Sequence, residues 1–116
     1  MSLSDSYDEA MSTIEVDPPL RVQILNDAAT LTDGDRNREY GDPTVNMACA
    51  GELKNVFRRY LARAISPAEQ EAIDMALTKI ARLATGKPKR DTYVDGSCYM
   101  AIAGECAERA SAQAQG

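Results

Sequence analysis

The sequence predicts an all-α fold, a helical bundle of about four helices, and three observations carry that expectation. Apolar residues recur with a helical period in four separate stretches. Two of those stretches open on a capping acceptor followed by proline, Asp42-Pro43 and Ser66-Pro67. No stretch alternates with a period of two for long enough to make a strand. A chain of 116 residues has room for one domain, with a core that folds without disulfides or metals.

Residues 1–19 are polar and acidic, lack sustained periodicity and end in Pro18-Pro19, which predicts a disordered N-terminal arm. The domain proper then spans residues 20–110, and residues 111–116 form a frayed C-terminal tail. The first helix is expected from about Leu20 to Thr32, with Val22, Leu25, Ala28, Ala29 and Leu31 on one side. A loop rich in turn formers follows, from Asp33 to Pro43. Capped by Asp42, the second helix runs to about Ala64 with Val45, Cys49, Leu53, Val56, Phe57 and Tyr60 on one stripe. Ser66-Pro67-Ala68-Glu69 is a capping box that opens the third, which stops at Gly86. The basic connector Lys87-Pro88-Lys89-Arg90 leads to Asp91, the expected cap of a fourth helix ending near Arg109.

Composition removes several classes of function. Thirteen Lys and Arg against eighteen Asp and Glu give a net charge of −5, which argues against binding duplex DNA, where a basic footprint must displace counterions. The absence of histidine removes imidazole triads, imidazole zinc sites and histidine pH switches. Acid–base chemistry near neutral pH would then fall to carboxylates, Lys, Tyr, Cys or metal-bound water. Cys49, Cys98 and Cys106 are odd in number and lack CxxC spacing, so they are expected to be small buried residues in a reducing compartment. No apolar run approaches the roughly 18 residues of a membrane span, and a cytoplasmic location is expected, the host cytoplasm if a phage encodes the chain.

Helical wheels place several polar residues on apolar faces. On the fourth helix Val94, Cys98, Ala101, Ile102 and Cys106 share a sector into which Asp95 and Glu105 also project. A buried carboxylate must meet a cation, a metal ion or hydrogen-bond donors. On the second helix Asn46 projects from the middle of the apolar face and Glu52 sits at its edge. The third helix has an apolar face of Ile73, Ala76, Leu77, Ile80 and Leu83, bordered by Lys79, and a separate polar stripe of Asp74, Thr78 and Arg82. Two readings follow: the inward acids brace Lys79 or Arg82 as structural ion pairs, or they hold a divalent metal or orient phosphate-binding cations. Oxygen ligands would suit Mg²⁺ or Mn²⁺.

Three segments together carry a resemblance. They are Gly34-Asp35-Arg36 with Tyr40-Gly41-Asp42-Pro43 and Asn46, then Lys79-Ile80-Ala81-Arg82-Leu83, then Arg90-Asp91-x-Tyr93-Val94-Asp95 with Tyr99. The combination, from about Ile24 to Glu108, resembles a family of small phage and prophage domains with a YGDP loop, a KIAR helix and a D-x-x-V-D-x-x-x-Y helix. More distantly it is similar to the MazG-like all-α nucleoside triphosphate pyrophosphohydrolases and to phage nucleotide-modification-associated domains. That resemblance implies a metal-ligand role for Asp95 and a phosphate role for Lys79 or Arg82. The sequence departs from the MazG-like pattern, an E-x-x-E helix followed by E-x-x-D: its second helix offers only Glu52, and Asp91 and Asp95 are four apart.

The first expectation is therefore a Mg²⁺-dependent pyrophosphohydrolase. Asp95 would hold the metal with Asp91, Glu52 or Glu105 as helpers, while Lys79 and Arg82 neutralise phosphoryl charge. The alternative is a non-catalytic phage protein that sequesters a nucleotide or a nucleotide-derived host defence signal. There Lys79, Arg82, Arg90 and Tyr40 would supply charge and stacking, with Asp42, Asn46 and Tyr99 as further ligand-binding residues of the motifs. A phage assembly adaptor without a small ligand is the third possibility. Wide apolar faces on so short a domain, with no Trp and one Phe, also predict a homo-oligomer.

Overall fold

A computed structural model describes residues 16–34 and 36–115, with only the backbone of Arg36 and Asn37. Most of the expected N-terminal arm, residues 1–15, lies outside the described residues. The fold is an all-α bundle, and no strand occurs among the described residues. Its helices are α1 (Leu20–Thr32), α2 (Arg36–Tyr40), α3 (Pro43–Tyr60), α4 (Pro67–Thr85) and α5 (Arg90–Gln115). None is long and apolar enough to cross a membrane. The chain groups into two units, one ending at Asp33 and the other starting at Gly34.

In the first unit, α1 matches the expected span. The N–H groups of Val22 and Gln23 both donate to the Pro19 carbonyl, and the Gln23 side chain donates to the Pro18 carbonyl at 2.8 Å. These contacts replace the side-chain cap that Pro19 cannot supply. The helix buries no residue; Leu25 and Leu31 are exposed.

The second unit is an up–down–up row of α3, α4 and α5. Asn46 near the start of α3 meets Thr85 at the end of α4, while Arg58 near the end of α3 meets Asp74 early in α4. Lys79 of α4 likewise meets Asp95 of α5. α4 is the middle helix, since α3 and α5 each pack on it and not on one another. Its flanks read well from sequence: Ser66 accepts from the Glu69 N–H, Pro67 opens the helix, and Gly86 closes it with its N–H on the Arg82 carbonyl.

The boundaries of its neighbours differ from expectation. α3 stops at Tyr60 rather than Ala64, because Leu61 turns to an extended conformation. α2 is a short helix where a loop is expected. α5 starts at Arg90, so Asp91 lies in its first turn instead of capping it. It continues to Gln115, past the expected end near Arg109, because Ala110–Gln115 contains three alanines and no Gly or Pro breaker.

The stripe of α5 that meets α4 is not the apolar sector of its wheel. Thr92 and Ala103 are buried there, in line with Gly96, Tyr99, Cys106 and Ala110. Small residues let the two backbones approach: a Cβ at Gly96 would sit 3.6 Å from the Lys79 Cβ. The buried apolar residues are Ala50, Ala72, Ala76, Ala81 and Ala103, and no large side chain is fully buried among the described residues. The cysteines are not core residues either, as Cys98 is exposed and the other two are half-buried.

A single row of helices has two faces, and the wheels assign side chains to each. One face carries Val45, Cys49, Val56 and Tyr60 of α3, Ile73, Leu77 and Ile80 of α4, and Tyr93 and Met100 of α5. The other carries Arg58, Arg82, Asp91 and Asp95, with the loop before α3 seated on it.

Candidate functional site

The Tyr40-Gly41-Asp42-Pro43 loop is locked onto the end of α4. Gly41 has φ +81°, and a Cβ there would collide with the Thr85 carbonyl. Gly86 is equally confined, since a Cβ would lie 2.6 Å from the Tyr40 Cα. The Lys87 N–H donates to the Glu39 carbonyl at 2.9 Å. Asn46, only 4% exposed, donates to the Thr85 hydroxyl at 3.0 Å and approaches the Tyr40 carbonyl at 3.4 Å. The Thr85 hydroxyl has one proton and two acceptors in reach, the carbonyls of Ala81 at 3.0 Å and Tyr40 at 3.2 Å. Asn46 therefore holds loop to helix through its side-chain amide nitrogen.

Cations gather beside this clasp. The Arg82 guanidinium lies 4.7 Å from the centre of the Tyr40 ring, and the Lys89 ammonium 5.6 Å. Lys89 also pairs with Glu39 at 3.2 Å, and that hydrogen bond raises its amine above the ordinary value. Three residues before Arg82, Lys79 pairs with Asp95 across the α4–α5 seam at 3.2 Å. Residues three apart on a helix are surface neighbours, so Lys79 and Arg82 share a face.

The expected inward acids are not inward. The Asp95 side chain is 52% exposed, whereas its partner Lys79 is 15% exposed. Glu105 is 65% exposed and pairs with Arg109 along its own helix at 3.3 Å. Among the described residues α5 has a helix on one side only, so the sector holding both acids is left uncovered there. Asp91 and Arg90 are exposed in the first turn of α5, and Tyr99 is half-buried on the α4 side. Glu52 is exposed on α3 beside Asn55, Val56 and Arg59. Asp42 accepts from both the hydroxyl and the N–H of Thr44 at 2.8 Å, and these bonds lower its carboxyl pKa. Lys79, Arg82, Tyr40 and Asp95 are thus brought to one region; Glu52 and Glu105 are not.

The best-buried acid is one that sequence reasoning reads only as a capping-box residue. Glu69 is 5% exposed, and its carboxylate takes both Arg63 guanidinium nitrogens, at 3.0 and 2.5 Å. This fork lowers the Glu69 carboxyl below its ordinary value. The sequence carries no signal for this pair, because Arg63 turns back to Glu69 only where α3 ends early at Tyr60. Asp74 similarly joins Arg58 at 2.8 Å and Gln70 at 2.9 Å.

No curated protein and no solved structure matches the chain. Residues 23–107, which span α2 to α4 entirely and reach into α1 and α5, match the family described as Domain of unknown function (DUF6378), and the chain belongs to that family.

Proposed function

We propose that the chain is a nucleotide-handling protein whose charged face binds a phosphorylated ligand and retains it without cleavage. The observation that supports this reading is the pairing of Lys79 and Arg82 on one face of α4, with the Tyr40 ring beside Arg82 and the Asp95 carboxylate beside Lys79. Two cations a turn apart suit adjacent phosphoryl oxygens, and a phenol ring with a guanidinium suits a planar base. The phage-type motifs fit a protein that sequesters a nucleotide or nucleotide-derived defence signal in a host cytoplasm.

Cleavage in the MazG-like manner would need acids gathered around Mg²⁺. The donors present do not meet that need: no group of three or more His, Cys, Asp or Glu suited to a metal occurs among the described residues. Asp95 is engaged by Lys79, Glu105 by Arg109, and Glu52 belongs to another face. Retention is therefore favoured over hydrolysis.

Calorimetric titration with nucleoside mono-, di- and triphosphates, alone and with Mg²⁺, tests the reading, with pyrophosphate release measured in parallel. Binding that survives a chelator, and that weakens about tenfold or more in Arg82→Ala or Lys79→Ala, is the expected result. Steady Mg²⁺-dependent release of pyrophosphate would overturn retention and restore the hydrolase. No binding by any nucleotide would remove both.

A further inference from the structure

The face of the second unit opposite Arg82 and Asp95 is apolar and exposed. On α4 and α5 it forms a groove of about 380 Å³ whose lining includes Lys79, Ile80, Leu83, Tyr93, Ser97 and Met100. On α3 it continues through Val45, Cys49, Val56 and Tyr60, spaced by four, seven and four residues. Val45 is 55% exposed, Tyr60 79%, Ile80 48%, Tyr93 56% and Met100 53%. Together with Val56, side chains of this size left half bare expose on the order of 600 Å², at the upper end of the largest apolar patch on an ordinary monomer. It also approaches the roughly 800 Å² that each partner gives to a standard stable interface.

We propose that a second copy of this chain covers that face, in a two-fold dimer that stacks row on row. The choice of a second copy rests on charge at the α3 rim. Glu52 and Arg59 flank Val56 on the outer edge of the stripe, one heptad apart and opposite in sign. Neither forms an ion pair with another charged side chain among the described residues, Arg59 instead lying 5.9 Å from the Tyr60 ring centre. A two-fold axis running across the row at the level of Val56 sets α3 antiparallel to the partner's α3. Each Glu52 then faces the partner's Arg59, and the reverse pair forms by symmetry.

The same operation closes the rest of the face. Val56 lies at the centre, level with Leu77 in α4, so Ile73 meets the partner's Ile80. Tyr93, early in α5, falls on the smooth backbone of the partner's Gly104, where a Cβ would meet nothing within 4 Å in the single chain. The dimer supplies the large-side-chain core that each row lacks, as its own buried apolar residues are all alanines. Arg82–Tyr40 and the Asp95 carboxylate remain outward on both copies, while Lys79 reaches Asp95 from the α4–α5 seam and also lines the floor of the covered groove.

Sedimentation equilibrium on the full chain tests this, with circular dichroism confirming helicity for each variant. The wild type should be dimeric at micromolar concentration, and Val56→Asp should raise the dissociation constant by at least about a hundredfold. Because a buried-site variant can fail to fold, the deciding set uses surface charges. Glu52→Arg and Arg59→Glu should each weaken the dimer, and the double variant should recover most of the loss. A monomeric wild type would overturn the proposal and leave the face to a different protein. So would a dimer indifferent to these changes, or weakened single variants that the double swap does not rescue.

Discussion

Gly41 shows how tightly one position can fix the clasp between loop and helix. A residue with φ near +80° and no room for a Cβ against the Thr85 carbonyl cannot be replaced by alanine without moving the backbone. Gly41→Ala should cost about 2–3 kcal/mol, read as a lower urea midpoint with an unchanged slope. Gly51→Ala is the control, since a Cβ there meets nothing within 4 Å and the change should hold or raise the midpoint. At this scale Asp42, Ser66 and Gly86 were readable in the sequence, because a cap or stop is encoded within four residues. Asp95 and Glu105 differ from expectation because a wheel gives the direction of a side chain and not whether any helix stands there. Asn46 is inward for the same reason in reverse, since α4 does stand over it.

The connector between α3 and α4 behaves as part of both elements. Arg63 reaches the buried Glu69 carboxylate from the extended segment, tying the end of one helix to the start of the next. The guanidinium holds the Glu69 carboxyl below its ordinary value of 4.5. A carboxyl depressed on folding contributes stability that is complete above its unfolded value and is lost as pH falls through the depressed one. Glu69→Gln should therefore melt roughly 5 °C below wild type at pH 7. Between pH 4.5 and the acid limit that difference should close, as the wild type takes up its proton. A gap that stayed constant from pH 7 to pH 3 would show the ion pair contributes nothing. Helix existence and order were readable from periodicity and caps. The ends of α3 and α5 were not, because an early stop at Leu61 and a run through Ala110–Gln115 depend on weak local preferences summed over several residues.

For the whole molecule, the all-α class follows from period and composition, whereas the two-faced row does not. Which sector of an amphipathic helix becomes an interior depends on how many neighbours it has, and a row gives α3 and α5 one neighbour each. The small-residue stripe of Thr92, Gly96 and Ala103 was the clue to where α4 would lie, although an apolar scale ranks it below Val94 and Ile102. A row held by its middle member also has a distinctive order of loss. Either outer helix of the second unit should peel away and leave the other pair standing, whereas opening α4 should undo both pairs. Backbone amides around Ala72, Ala76 and Ala81 should therefore exchange with deuterium only through global unfolding, and those of α3 and α5 through smaller, separate openings. Contacts between helices adjacent in sequence close short loops, which favours refolding in milliseconds or less. The exchange map of the second unit should thus read as a slow central rod between two faster flanks.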